Sequence, residues 1–316
     1  MSVIAIDLGG TKALGAVFTP GGKLLAKKHR YLDGASGESA GRIVLELIGQ
    51  LSEEGLDSKV DAVGICVPGI VYHEDGSVWA PNIPGWERYP LRSRIEEALG
   101  NDALVVVESD RTCYVLGEVW KGAAKGSEDA VYIAVGTGVG IGILSDNRVI
   151  RGSADIAGAA GWMALSSPFM DDYRQCGCFE SFASGSGLGA QIQKAVKEHP
   201  EYTGVLSGKP VKELSSYDVF EHYDSDPLAR SVLDKAIEMW GMGAANIVSL
   251  LNPEIVVFGG GIFGPAARFL DRIREEALKW GQPIAMRSVR FAVSELPGEA
   301  ALYGAARLVI RDGLDK

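Results

Sequence analysis

Asp110 follows the apolar run at 103–107, with Glu108, Ser109 and Arg111 as its neighbours. A continuous β-branched run reads as a strand buried on both faces, and the C-terminal ends of such strands are where ligand crevices open in α/β sheets. A carboxylate at that edge suits removal of a proton from an alcohol. The same residue also suits capping a helix that the pattern starts near Thr112, and the residue types leave both roles open. Arg111 could hold Asp110 ionised, recognise an acidic substrate, or simply face solvent.

Three glycine-rich turns supply a complementary chemistry. Phosphate oxygens need several converging backbone N–H donors, and those approach closely only where Cβ atoms are absent. Gly9-Gly10, Gly136 to Gly142 and Gly259-Gly260-Gly261 each end an apolar strand, so together they favour a nucleotide site bordering one cleft. The Walker pattern is absent, and the run Gly138-Val139-Gly140 has Ile143 where a dinucleotide GxGxxG needs its third glycine. Asp7, beside the first turn, suits holding a magnesium ion through water, or an Asx turn. Lys12 could reach a phosphate or lie solvated on its strand.

The elements that position these residues alternate between strand and helix. Strand patterns cover 3–7 and 12–18 around the first glycine turn, 60–67 and 103–107, with helices predicted over 39–51, 91–99 and 112–120. The strand, Gly-Thr turn, strand theme recurs at 130–144, which suggests a duplicated lobe. Helices are predicted over 187–197, 229–251, 265–279 and 299–311, a strand over 255–258, and loops over 198–226.

At 316 residues the chain exceeds the usual size of one core, so two lobes with a cleft between them are expected. Hydrophobic residues make up 47% and charged residues 23%, ordinary for a soluble protein, and no apolar run approaches the length of a membrane span. A net charge of -10 without a basic patch argues against a nucleic-acid partner. The start of the sequence shows no secretory pattern, so a cytoplasmic location is expected. Cys66 and Cys113 read as reduced core residues.

In their order along the chain these motifs resemble those of the ROK family of actin-like sugar kinases, repressors and open reading frames. Ile6-Asp7-Leu8-Gly9-Gly10-Thr11-Lys12 is similar to the first phosphate motif, Val135-Gly136-Thr137-Gly138 to the second, and Phe258-Gly259-Gly260-Gly261 to the adenosine motif. Pro68-Gly69 and Pro81-Asn82 resemble the sugar-side loops, and Glu108-Ser109-Asp110 falls where the family has Glu-Asn-Asp with a catalytic aspartate. The resemblance implies two ribonuclease-H-like lobes around a hinge cleft. One is residues 1–117 plus a C-terminal helix at 298–316, and the other is 118–297. It also implies ATP and Mg2+ as cofactors, a small sugar or polyol as substrate, and a homodimer. The family's repressors carry a winged helix before the Asp-Leu-Gly-Gly segment, which here begins at residue 7, so the kinase-type branch is implied.

Several positions depart from that pattern. The family's Glu-Ile-Gly-His segment is Ala159-Ala160-Gly161-Trp162 here, and its zinc-binding cysteines survive only as Gly177-Cys178-Phe179-Glu180, with Cys176 out of register. Two cysteines without a nearby histidine do not make a four-ligand structural site, so no zinc is expected. Glu180 by resemblance accepts a sugar hydroxyl, or else interacts with a helix dipole. Ser109 replaces a sugar-contacting asparagine and can replace only one of its hydrogen bonds. Trp162 offers a face for stacking on a ring, or packs the void of the missing zinc loop. These changes leave the acceptor open.

Overall fold

The computed structural model describes residues 3–54, 60–100 and 103–314. Val3–Leu8 forms the first strand (β1), and Gly9 and Gly10 turn it back into β2 (Lys12–Phe18), closed by the Gly9 N–H donating to the Lys12 carbonyl at 2.8 Å. β3 (Leu24–Tyr31) continues the meander. Helix α1 (Gly37–Ser52) follows a Ser36 capping box and buries Val44, Leu47 and Leu51 at helical spacing. The fully buried β4 (Ala62–Val67), a short hairpin of β5 (Ile70–Tyr72) and β6 (Ser77–Trp79), α2 (Leu91–Ala98) and β7 (Leu104–Ser109) complete the first lobe.

Helix α3 (Asp110–Lys121) leads into β8 (Ala130–Val135), β9 (Val139–Ser145) and β10 (Arg148–Val149). Helices α4 (Tyr173–Cys176), α5 (Cys178–Ala183), α6 (Gly185–Glu198), α7 (Ser216–His222) and α8 (Pro227–Leu251) follow. The second lobe ends with β11 (Ile255–Gly259), α9 (Leu270–Trp280), α10 (Pro283–Ser288) and β12 (Arg290–Val293), and α11 (Ala300–Leu314) closes the order.

The sheets run β3-β2-β1-β4-β7 and β10-β9-β8-β11-β12. In each, a three-strand antiparallel meander adjoins two parallel strands, so the motif repeated in sequence is a repeated sheet. Each lobe has its own apolar core. A third core lies between the sheets, where α3 and α11 join residues of β1 and β4 to residues of β8, β9 and β11. Gly117 and Gly304 permit that helix pair to touch: a Cβ on them would lie 2.0 Å from the Ala300 carbonyl oxygen and 1.8 Å from that of Cys113.

Two expectations are corrected. The segment 198–226 contains α7 and two short 3-10 turns, because Leu206, Leu214 and Val219 bury themselves against the second lobe's core. The helix expected over 265–279 is a 3-10 turn at Pro265–Phe269 followed by α9. The division expected at residue 117 falls inside α3, which packs on elements of both lobes.

Candidate active site

β7 ends at Ser109, whose extended backbone and hydroxyl cap α3 by accepting the Thr112 N–H at 3.4 Å. The cap is therefore Ser109 and not Asp110. Ser109 is buried, and its oxygen also lies 3.3 Å from the Thr112 hydroxyl, so the helix start engages the side chain expected at the substrate. Asp110 faces a cleft of about 740 Å³ between the lobes. Its Oδ1 accepts the Arg111 N–H at 2.8 Å. Burial pushes its carboxyl up to about 6, against the opposing pull of the Arg111 charge and N–H.

The same cleft gathers Pro68, Gly69, Asn82, Gly136, Thr137, Gly138, Trp162, Glu180, Gly260 and Gly261. It does not gather every expected residue. Gly259 is buried at the end of β11, where a Cβ would lie 1.8 Å from the Tyr132 hydroxyl, so its backbone packs inward rather than toward a ligand. The first glycine turn adjoins the cleft without lining it: Gly10 packs on the Asn82 side chain, while Thr11 and Lys12 are exposed. Asp7 stands at the end of β1, where Cys66 Sγ donates to its Oδ1 at 3.1 Å. Burial raises Asp7, with the Cys66 hydrogen bond and the Lys12 charge opposing, and Asp7 in turn helps raise Asp110.

Whether these residues fit a nucleotide and its metal is testable on the backbone itself. At Gly136 and Gly261 the space a Cβ would occupy is open, so backbone groups there are accessible from the cleft. The Gly136-Thr137 turn is held by the start of α6, since the Gly185 N–H donates to the Gly136 carbonyl at 2.8 Å. A second hollow of about 580 Å³ opens from that turn between Ser186, Tyr217, Phe220 and Ile262, a slot suited to a flat heterocycle. Sequence reasoning missed it because Tyr217 and Phe220 fall on α7, inside the segment read as loops. Among the described residues no group of three or more His, Cys, Asp or Glu is placed to hold a metal. Two half-buried carboxylates, Asp7 and Asp110, still suit magnesium, which takes one or two protein carboxylates and completes its shell with water and phosphate.

Three further residues border the acceptor side. Trp162 is 59% exposed and lines the cleft, so it fills no core void. Glu180 is half-buried, and its Oε2 accepts the Val139 N–H at 2.7 Å, which braces the Gly138 turn. Arg111 runs along Gly140 and donates to the Ala157 and Asp155 carbonyls at 3.2 and 3.5 Å, so it anchors a second-lobe loop. Cys178 is buried in the second lobe's core, while Cys176 lies half-exposed against the Ser181 hydroxyl at 3.4 Å. Cys66 and Cys113 are buried free thiols, as expected.

One group at the cleft rim had no recognised sequence signal. Glu108, almost wholly buried on β7, accepts Arg151 Nε at 2.7 Å and Nη2 at 2.6 Å, and His73 Nε2 lies 3.3 Å from Asp155. These contacts join first-lobe residues to the second-lobe loop after β10.

Two duplicated sheet lobes around a cleft, with a carboxylate at one strand end and glycine turns across from it, define the actin-like class of phosphotransferase folds. The ROK family model matches residues 3–312, and the chain belongs to the ROK family. It is 30% identical to a glucokinase of Halalkalibacterium halodurans, covering 97% of this chain and 94% of the relative. It is also 30% identical to a xylose repressor of Caldicellulosiruptor bescii, over 99% of this chain and 79% of the repressor. The crystal structure of a ROK family glucokinase from Streptomyces griseus, in complex with glucose and AMPPNP, superposes with a TM-score of 0.78 at 30% identity, covering 99% and 100% of the two chains.

Proposed function

We propose that this protein is an ATP-dependent kinase that transfers the γ-phosphate to a hydroxyl of a hexose or sugar-like polyol. One observation carries the reading: Asp110, released from capping by Ser109 and held near 6, lines the same cleft as the turns Gly136 to Gly138 and Gly260-Gly261. Asp110 accepts the acceptor's hydroxyl proton as the oxygen attacks phosphorus, and the glycine-turn N–H groups stabilise the transferring charge. Asn82 and Glu180 orient ring hydroxyls, and Trp162 covers one face of the ring. Asp7 would hold a magnesium ion through water, where the ion's chemistry is neutralisation of phosphate charge. The glucose and AMPPNP named for the Streptomyces griseus structure support this division of the cleft.

The reading includes a cytoplasmic location and no zinc. No helix among the described residues is long and apolar enough to cross a membrane. It also includes a homodimer, for which Leu250, Trp280 and Ile284 offer an exposed apolar face; light scattering at micromolar concentration tests it. Coupled ADP release over a panel of sugars, amino sugars and cyclitols tests the activity, with Asp110→Asn as the control. Turnover raised by at least one acceptor is expected. If none raises turnover above that control, a second reading, a kinase-derived sugar-binding regulator, replaces it. That reading is favoured by the use of Glu180 as a backbone brace and by the xylose repressor among the relatives.

A further inference from the structure

Beyond Trp162 the acceptor cleft opens into another cavity. This hollow, of about 600 Å³, is lined by Trp162, Phe169, Tyr173, Arg174 and the Ser166-Ser167 pair. Trp162 is common to both cavities, so its indole is the partition between them. We propose that the acceptor is longer than one sugar ring, and that this hollow holds the second ring of a disaccharide or glycoside whose first ring lies at Asp110. The proposal rests on the reading of the cleft as a sugar-kinase site.

The lining carries the argument. Phe169 is 62% exposed and Trp162 59%, and both stand at the edge of a cleft rather than scattered on the surface. Large rings held open to water at a concave site suit the apolar C–H face of a pyranose, while hydroxyls at the ring edge need donors and acceptors. Ser166, Ser167 and Arg174 line the hollow and supply them. The Arg174 guanidinium lies 5.2 Å from the Phe169 ring centre, and its ion pair with Asp171 is exposed on both sides, so the pair is weak and can be exchanged for a ligand hydroxyl.

The backbone that carries the partition is fixed in place. Gly177, at φ +88°, packs so closely under it that a Cβ would lie 2.3 Å from the Gly161 carbonyl oxygen and 2.5 Å from the Trp162 Cα. Phe169 meets Tyr173 edge to face at 5.9 Å, and Tyr173 is itself buried. The floor of the hollow is therefore set before a ligand arrives, which reduces the ordering needed on binding.

The test compares binding and turnover of monosaccharides with their α- and β-linked disaccharides, using maltose, cellobiose and glucose as the first probes. Binding is read by intrinsic tryptophan fluorescence without ATP, and turnover by ADP release. At least one disaccharide is expected to bind about tenfold more tightly than its monosaccharide, a difference within reach of one aromatic stacking contact. Phe169→Ala, and separately Arg174→Ala, should erase that difference while leaving monosaccharide kcat/KM unchanged. Equal affinity for one and two rings, or equal loss for both in these variants, overturns the proposal while leaving the kinase reading intact. Phe169-dependent disaccharide binding without any phosphorylation keeps the second-ring site and overturns the kinase reading instead.

Discussion

Replacing Asp110 by Asn removes a carboxyl that burial lifts from the usual 3.8 to about 6, with Arg111 opposing. At about 1.4 kcal/mol per tenfold change in proton affinity, keeping it ionised costs the folded protein up to about 3 kcal/mol at pH 8. The cleft leaves the residue partly wetted, and screening there reduces the working figure to about 1.5 kcal/mol. With an unfolding entropy of about 2.1 cal/mol/K per residue over 316 residues, Asp110→Asn should raise Tm by about 2 °C while lowering kcat by about 10²–10⁴. The sign follows from the direction of the shift. The unfolded chain releases this proton near 3.8 and the folded chain near 6, so the penalty grows between those values and is complete above them. Calorimetry of both proteins at pH 8 and pH 4 should therefore show the variant's advantage at the higher pH and little of it at the lower. A variant less stable than the parent at pH 8, or an advantage that persists unchanged at pH 4, refutes the reasoning, because the carboxylate would then not be held against its own desolvation.

Other consequences are open to direct measurement. The same residue sets the acid limb of activity: kcat/KM should fall about fivefold from pH 6 to pH 5, and a flat profile to pH 5 removes Asp110 as the base. Arg151→Ala leaves the buried Glu108 carboxylate without its guanidinium, at a cost of about 2–4 kcal/mol in denaturant unfolding; a loss below about 0.5 kcal/mol would show that the pair does not hold the lobes. Gly136→Val places a side chain in open cleft space, so the KM for ATP should rise at least tenfold, about 1.4 kcal/mol, with Tm little changed. An unaltered KM would put the phosphates elsewhere.

Elements whose pattern is self-sufficient were readable from sequence. The glycine turns after β1 and β8, and the β7-to-α3 junction, join long apolar strands to residues that only a turn or a helix start accommodates. The short β5–β6 hairpin was not readable, because three-residue strands depend on pairing and on the Tyr89 backbone bridging to Val78. Ser109 and Asp110 are both good caps, so composition could not say which one the chain would use; the backbone turn decides it. The partners of Glu180 and Arg111 are backbone N–H and carbonyl groups distant in sequence, and no side-chain pattern encodes those. The slot around Tyr217 and Phe220 was hidden for a related reason: its aromatics border a cavity that exists only once α7 docks.

The helix pair α3–α11 sets an order on biosynthesis. Everything the second lobe's sheet needs lies between residues 130 and 293, so it can close as soon as that stretch has left the ribosome. The first sheet is translated earlier but finishes later, because the face of β1 and β4 that α11 covers stays bare until residues 300–314 emerge. Until that last helix docks, the apolar face that includes Val3, Ala5 and Phe18 lacks its cover, so the first half of the chain carries the longer exposure to misassociation.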